Sequence, residues 1–249
     1  MYINDTYLTY YAVVAILGLF SGMLVNWMDI RLPQYKKVFS REIFTEYFAK
    51  FRPNYFLMFI TAFIYIALLY FNDGIKDTLI GNIDLIRNFI LTPMLLSAFI
   101  IDYKHQIIPN RLNLTIFEVG LLLSFAYGIS DITITRERFI GMFVGGGIFL
   151  LITLIGGAFY GKEAMGYGDV KLMGALGLCF GWSKIIAITL LSFLIGAVIS
   201  IFLLVTKIKK VDEYIPFGPF IVIATFIVMF VPFSTIKLIL IKIFTLGMA

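Results

Sequence analysis

The sequence has few charged residues and a single cysteine. Of its 249 residues 14% are charged, against about 25% in an average soluble domain. Apolar residues make up 61%, above the 45–50% or so of soluble domains, which excludes a disordered chain and an ordinary soluble core. Cys179 stands alone, so an internal disulfide and a metal site built from several cysteines are excluded. The composition predicts a protein of the lipid bilayer.

Long apolar runs predict an all-α, polytopic membrane helix bundle that forms one domain over residues 1–249. A hydrocarbon core of about 30 Å needs about 20 helical residues, and on that basis we predict about eight transmembrane segments. They are Leu8–Met28, Tyr55–Phe71, Leu85–Ile101, Leu112–Ile129, Phe139–Phe159, Val170–Gly181, Lys184–Thr206 and Phe217–Phe233. The sixth is short, and its glycines predict a tilted or re-entrant helix. The first lacks a preceding basic region and a cleavage site, which predicts a retained helix and not a signal peptide.

The distribution of lysine and arginine predicts the orientation of these segments. Thirteen lysine and arginine residues fall on one side of the predicted spans and five on the other, leaving out Lys237 and Lys242 near the C-terminus. Because basic residues accumulate in cytoplasmic loops, this bias predicts an N-terminus outside the cell and a first loop, residues 34–54, in the cytoplasm. The net charge of +5 therefore reflects topology, and it does not predict nucleic-acid binding.

Two aspartates stand where predicted membrane helices meet the cytoplasm. Asp102 follows the third segment in the run I-I-D-Y-K-H, and Asp169 precedes the sixth in the run M-G-Y-G-D-V-K-L. The topology predicts that both carboxyl groups lie at one depth on one side of the membrane. Two neighbouring carboxyl groups that share a proton can carry out aspartyl proteolysis. Gly166 and Gly168, which lack a Cβ, would let an extended substrate backbone approach Asp169.

Four motifs in this order and spacing resemble those of the type IV prepilin peptidases, bacterial members of the GxGD membrane aspartyl proteases. The first is G-L-x-x-G-x-x-x-N-x-x-x-x-R-L-P over residues 18–33, and the second is D-x-x-H-x-x-x-P-N over residues 102–110. The third is M-G-Y-G-D-V-K-L over residues 165–172, and the fourth is I-P-F-G-P over residues 215–219. The resemblance covers nearly the whole chain.

This resemblance implies an endopeptidase in a bacterial cytoplasmic membrane, with Asp102 and Asp169 as the catalytic pair. Its substrates would be prepilins or pseudopilins, whose basic leader ends in a glycine at the cytoplasmic face, and pilus or secretion machinery would be a further partner. Beside the pair, His105 would tune the aspartates. The substrate would be positioned by Gly166, Gly168, Lys171, Pro216, Phe217, Gly218 and Pro219.

One departure from the family concerns cofactors. Many members carry a larger first loop with two C-x-x-C pairs that would bind zinc, whereas residues 34–54 contain no cysteine. We therefore expect no zinc, no other metal and no cofactor for proteolysis. Many relatives also methylate the new N-terminus with S-adenosylmethionine, and the short loop leaves this second activity open.

Two alternatives use the same residues differently. An ion- or solute-coupled transporter also places carboxylates and broken helices in the membrane, but it predicts a repeated architecture and a site near the midplane. The sequence has no internal repeat that relates its halves, and both aspartates lie at an edge. A non-catalytic pilus-assembly scaffold would keep the fold and predicts the loss of an aspartate, yet both are present.

Overall fold

The computed structural model describes residues 2–3, 6–34, 36, 38, 53–72, 74–75, 78–160, 165–207 and 215–245. The predicted loop 34–54 lies mostly outside these residues. Within them the chain forms a small β-hairpin and nine helices. The strands are β1 (Tyr2–Ile3) and β2 (Thr6–Tyr7), and the helices are α1 (Leu8–Arg31), α2 (Tyr55–Phe71), α3 (Leu79–His105), α4 (Asn110–Ser130), α5 (Ile132–Tyr160), α6 (Tyr167–Phe180), α7 (Trp182–Val205), α8 (Gly218–Phe230) and α9 (Phe233–Phe244).

The helices confirm the all-α prediction for a multi-pass membrane protein, apart from the short antiparallel hairpin. Five of them, α1, α3, α4, α5 and α7, are long and apolar enough to cross a membrane. Helices α2 and α8 are apolar but shorter. Helix α6 has 14 residues, or about 21 Å at 1.5 Å per residue, so the sixth predicted segment is short, as expected. The count of eight spans stays a prediction.

Two helices begin earlier than predicted because polar side chains at their starts form hydrogen bonds or an ion pair. Helix α3 starts at Leu79 and not at Leu85, because the Thr78 hydroxyl accepts a hydrogen bond from the Gly81 amide and Asp84 pairs with Arg87. Helix α5 starts at Ile132 and not at Phe139. There the Asp131 carboxylate caps the helix by accepting hydrogen bonds from the amide and hydroxyl of Thr133.

The chain divides into two compact units, residues 1–101 and residues 102–249, with the boundary inside α3. In the first unit α1 packs directly against the backbone of α2. A Cβ on Gly18 would lie 2.5 Å from the Ala62 Cα, and a Cβ on Gly22 would lie 2.5 Å from the Met58 Cα. The glycines of the first motif, one helical turn apart, thus serve close helix packing. The prediction of a single domain over residues 1–249 stays a prediction.

In the second unit the short helix α6 is central. Almost all of its residues from Leu172 to Phe180 are buried, and it packs against α4, α5 and α7. Glycines bring α5 and α6 into backbone contact, since a Cβ on Gly141 would lie 2.5 Å from the Gly177 carbonyl oxygen. Gly181, with φ of +80°, then turns the chain sharply from α6 into α7. The start of α6, which carries Asp169, is therefore held on a rigid core.

A buried arginine fastens the far end of α6. The guanidinium of Arg138, in α5, lies 3.6 Å from the centre of the Tyr127 ring in α4 and donates a hydrogen bond to the Cys179 carbonyl in α6. Burial strengthens both interactions, because water competes with neither. One side chain thus joins α4, α5 and α6 at the end opposite Asp169.

Candidate active site

Asp102 lies in the last turn of α3, with 3% of its surface exposed. Gln106, with φ of 56°, ends the helix, and the chain continues without helix to Asn110. The Asp102 Oδ2 atom accepts a hydrogen bond of 2.9 Å from the backbone amide of Gly218. Gly218 is the first residue of α8, where amide groups have no partner inside the helix and the helix dipole favours negative charge. The start of α8 is therefore directed at the Asp102 carboxylate.

Asp169 lies in the first turn of α6 with 4% of its surface exposed. Its Oδ1 atom is buried and has no hydrogen-bond partner among the described residues. Helix α6 is not among the five candidate membrane spans. Burial, followed by the nearby charge of Asp102, raises the pKa of Asp169 to about 7. The two carboxyl groups, 67 residues apart in sequence, therefore interact in the fold.

Ile108 connects the segments that carry the two aspartates. A Cβ on Gly168 would lie 3.2 Å from the Ile108 Cβ, and a Cβ on Gly218 would lie 3.1 Å from the Ile108 Cδ1 and 2.5 Å from the Asp102 Oδ2. Both glycines thus allow close packing against the connection between α3 and α4. Gly166 is placed differently, since its Cβ would lie 3.5 Å from the Asp169 Oδ2 with no closer neighbour. A Cβ on Gly166 would therefore make an ordinary van der Waals contact with the Asp169 carboxyl.

Two hydrogen bonds fix the start of α6 to the start of α4. Asn113 donates from Nδ2 to the Gly168 carbonyl oxygen at 2.9 Å, and Lys171 donates from Nζ to the Asn110 Oδ1 at 2.8 Å. The first bond holds the residue directly before Asp169. Sequence reasoning missed Asn113, although an amide side chain at the start of an apolar segment is a signal of a polar contact.

Three residues of the fourth motif have different surroundings in the fold. The Phe217 ring packs among Phe149, Phe193 and Phe220 with centroid distances of 5.1–5.9 Å. Pro219 stands in the first turn of α8, where a missing amide hydrogen costs nothing. Pro216 is buried before the helix. Packing by Phe217 and the helix start together aim the Gly218 amide at Asp102.

His105, the last residue of α3, is exposed, and within the described residues no hydrogen bond joins it to either aspartate. Its tuning role stays a prediction. Groups of three or more histidine, cysteine or acidic residues that could hold a metal are absent from the part of the chain that the structure describes. Asp102, Asp169, Gly166, Gly168 and Gly218 are the predicted site residues that the fold brings together.

Residues 89–201, which include both aspartates, match the model of the type IV leader peptidase family. The match covers 113 of the 249 residues of the chain. The chain is also similar to curated bacterial proteins named prepilin leader peptidase/N-methyltransferase. The relative from Aeromonas salmonicida is 34% identical over 143 residues, which are 56% of this chain and 47% of the relative. Those from Legionella pneumophila and Pseudomonas aeruginosa are 34% identical over 144 and 142 residues, or 55% and 56% of this chain and 47% of each relative.

The chain spans about half the length of the curated relatives that it matches. No solved structure matches it. The match over residues 89–201 confirms the resemblance to this family that the motifs around Asp102 and Asp169 predict.

Proposed function

We propose that this chain is a membrane aspartyl endopeptidase that removes the leader from type IV prepilins or pseudopilins, cutting after a glycine at the cytoplasmic face. The observation that carries the proposal is the proximity of two buried aspartates from separate helices, whose neighbouring glycines Gly168 and Gly218 both pack against Ile108. The family match and the names of the relatives support the reaction and the substrate class. The transporter and scaffold alternatives have no comparable support.

The two aspartates have different surroundings, which assign them different roles. Asp102 accepts the Gly218 amide at the start of a helix, so it holds the negative charge of the pair. Asp169 has a buried oxygen without a partner, so it holds the shared proton. Asp102 is therefore the general base for water, and Asp169 is the acid for the scissile carbonyl.

During hydrolysis each aspartate exchanges one proton with the substrate or water and ends in its starting protonation state. Asp102 takes a proton from water as the hydroxide attacks the carbonyl carbon, and Asp169 gives its proton to the carbonyl oxygen. The tetrahedral diol collapses when Asp102 protonates the leaving amine and Asp169 takes back a proton from a hydroxyl group. The carbon–nitrogen bond breaks, and the pair is restored to its starting state. Because Gly166 has no side chain, the substrate backbone can approach the Asp169 carboxyl at this position.

Mass spectrometry of a prepilin with a Gly-Phe junction tests the activity. The full-length chain in detergent is expected to release the leader and leave a product that begins with phenylalanine. A prepilin whose junction glycine is replaced by a bulky residue serves as the matched substrate control and is expected to stay intact. If a folded enzyme leaves several prepilins of this type uncleaved, the proposal is wrong.

The names of the relatives raise the question of S-adenosylmethionine, and the described cavities do not fit it. Two cavities among the described residues of 102–249 are lined by apolar residues together with Asn110, Asn113 and Lys171 in one case and Ser183 and Lys237 in the other. Neither has a carboxylate, the group that would pair with ribose hydroxyls and a sulfonium charge. We derive no methyl transfer from these residues, and the same mass spectra report any methyl group added.

The rate of prepilin cleavage is expected to fall as the pH rises above about 7. The pKa of Asp169 is raised to about 7 by burial and then by the charge of Asp102, and the reaction needs Asp169 protonated. Once Asp169 is mostly ionised, the rate should drop about tenfold for each further pH unit. Initial rates between pH 5 and pH 9, with folding checked by circular dichroism at each pH, measure this. A constant rate from pH 6 to pH 9 would contradict the assignment of the acid.

Cysteine labelling in intact cells tests the proposed orientation, with the N-terminus outside and the aspartates at the cytoplasmic face. Tyr103, beside Asp102, and Ser130, at the other end of α4, are both exposed. Since 21 helical residues of α4 span about 31 Å, the two positions report on opposite surfaces. An impermeant maleimide is expected to label Ser130→Cys but not Tyr103→Cys, and Cys179 is buried and adds little background. The reverse labelling pattern would overturn the orientation.

A further inference from the structure

A cavity of about 650 Å³ lies between α4, α5 and α6, directly beside the candidate active site. Val170 and Lys171, the two residues after Asp169, form part of its wall. Asn113, which also lines it, holds the Gly168 carbonyl at the start of α6. The proposed mechanism uses none of this space. Its volume lies within the range of about 300–1,000 Å³ that is usual for ligand sites.

The lining of the cavity changes in polarity along its length. The end nearest Asp169 carries Asn110, Asn113 and Lys171. The remainder is apolar and includes Phe117, Phe143 and Leu150. An occupant of matching chemistry has a polar end at the aspartates and an apolar body that continues between α4 and α5.

Asn113 adds a second observation at the polar end. The residue is 3% exposed, and while its Nδ2 donates to Gly168, its Oδ1 is buried with no partner among the described residues. An unpaired buried acceptor is unfavourable, so a donor that a ligand brings within reach of it is favoured. A peptide supplies such a donor in its backbone amide. A lipid acyl chain has none.

We propose that this cavity binds the apolar segment that follows the scissile bond of the substrate, with a backbone amide of that segment near Asn113. The inference rests on the proposed function, because it places the part of a prepilin that remains after cleavage. The polar leader then lies on the other side of Asp169, and the scissile bond falls at the polar end of the cavity. Binding the apolar segment positions the bond without touching the reacting atoms.

Filling the cavity tests the proposal. A Cβ on Gly147 meets nothing within 4 Å, so Gly147→Phe places a ring in the cavity without a backbone clash. We expect KM for a full-length prepilin to rise about tenfold or more while kcat is nearly unchanged, the pattern of lost binding common to substrate and transition state. Leu154→Phe is the matched control, since Leu154 lies on the same helix, is exposed and does not line the cavity. It is expected to leave both constants unchanged.

A second variant and a direct contact measurement guard against a folding defect. Phe143 lines the cavity but is 70% exposed, so Phe143→Ala removes a contact with little loss of core packing, and KM should rise again. A photo-crosslinker at Phe143 in the Asp169→Asn background should capture the prepilin through its apolar segment, whereas one at Leu154 should not. Unchanged KM in both variants, or capture of lipid alone at Phe143, would overturn this inference. Failure of the wild-type chain to cleave any prepilin would instead refute the proposed function.

Discussion

Replacing Asp102 or Asp169 with asparagine is expected to lower the rate of prepilin cleavage by about 10²–10⁴-fold, the usual contribution of general acid–base catalysis. Asparagine has nearly the same shape, but it can neither take a proton from water nor give one to the carbonyl oxygen. Because the two groups act as a unit, the double variant should be hardly slower than either single variant. Rate constants from the mass-spectrometric cleavage measurement, at equal amounts of folded membrane protein, give these ratios.

A third aspartate provides the control for this prediction. Asp131 is exposed at the junction of α4 and α5, where its Oδ1 accepts hydrogen bonds from Thr133. Asp131→Asn keeps an acceptor oxygen at that position and changes the charge in the same way as the active-site variants. It is expected to cleave at the wild-type rate. A folded Asp102→Asn or Asp169→Asn variant with wild-type activity would refute the catalytic pair.

The placement of the aspartates could be predicted because each interrupts an apolar run at a helix end. An ionisable residue at the end of an apolar segment is costly, so its presence there indicates a function. The alternation of the predicted spans predicts that both aspartates lie on one side of the membrane. The partner of Asp102 could not be predicted in the same way. The Gly218 amide lies 116 residues away in sequence, and a backbone group leaves no signal in the residue type. Only the packing of α8 shows that its first amide is directed at Asp102.

The helix ends show a second limit of sequence reasoning. Hydropathy places charged residues outside the apolar spans, so it predicts that α3 begins after Asp84 and α5 after Arg138. In the fold Asp84 forms an ion pair with Arg87. Arg138 lies over the Tyr127 ring and donates a hydrogen bond to the Cys179 carbonyl. A hydropathy scale assigns each charged residue the cost of burying an unpaired charge. It cannot include a partner that the fold supplies.

Gly218→Ala is expected to lower the cleavage rate about 10²-fold, the effect of displacing a catalytic group by about 1 Å. The new Cβ would lie 2.5 Å from the Asp102 Oδ2 and 3.0 Å from its Cγ, so the carboxylate must move away from the Gly218 amide. Gly218 is not among the glycines with positive φ, which means that the backbone itself accepts alanine. Loss of rate would therefore report crowding of Asp102 and not backbone strain. Single-turnover rates with saturating enzyme measure the chemical step directly.

Gly128→Ala is the matched control, because it creates a similar clash away from the aspartates. Its Cβ would lie 2.6 Å from the Thr135 hydroxyl oxygen, whose own hydrogen bond goes to the Ser124 carbonyl near the far end of α4. Both variants add one methyl group to a crowded position in the same unit and should lose comparable thermal stability. Only Gly218→Ala should lose activity. If the two variants cleave at equal rates, the Gly218 amide does not position Asp102, and the negative charge of the pair must be held in another way.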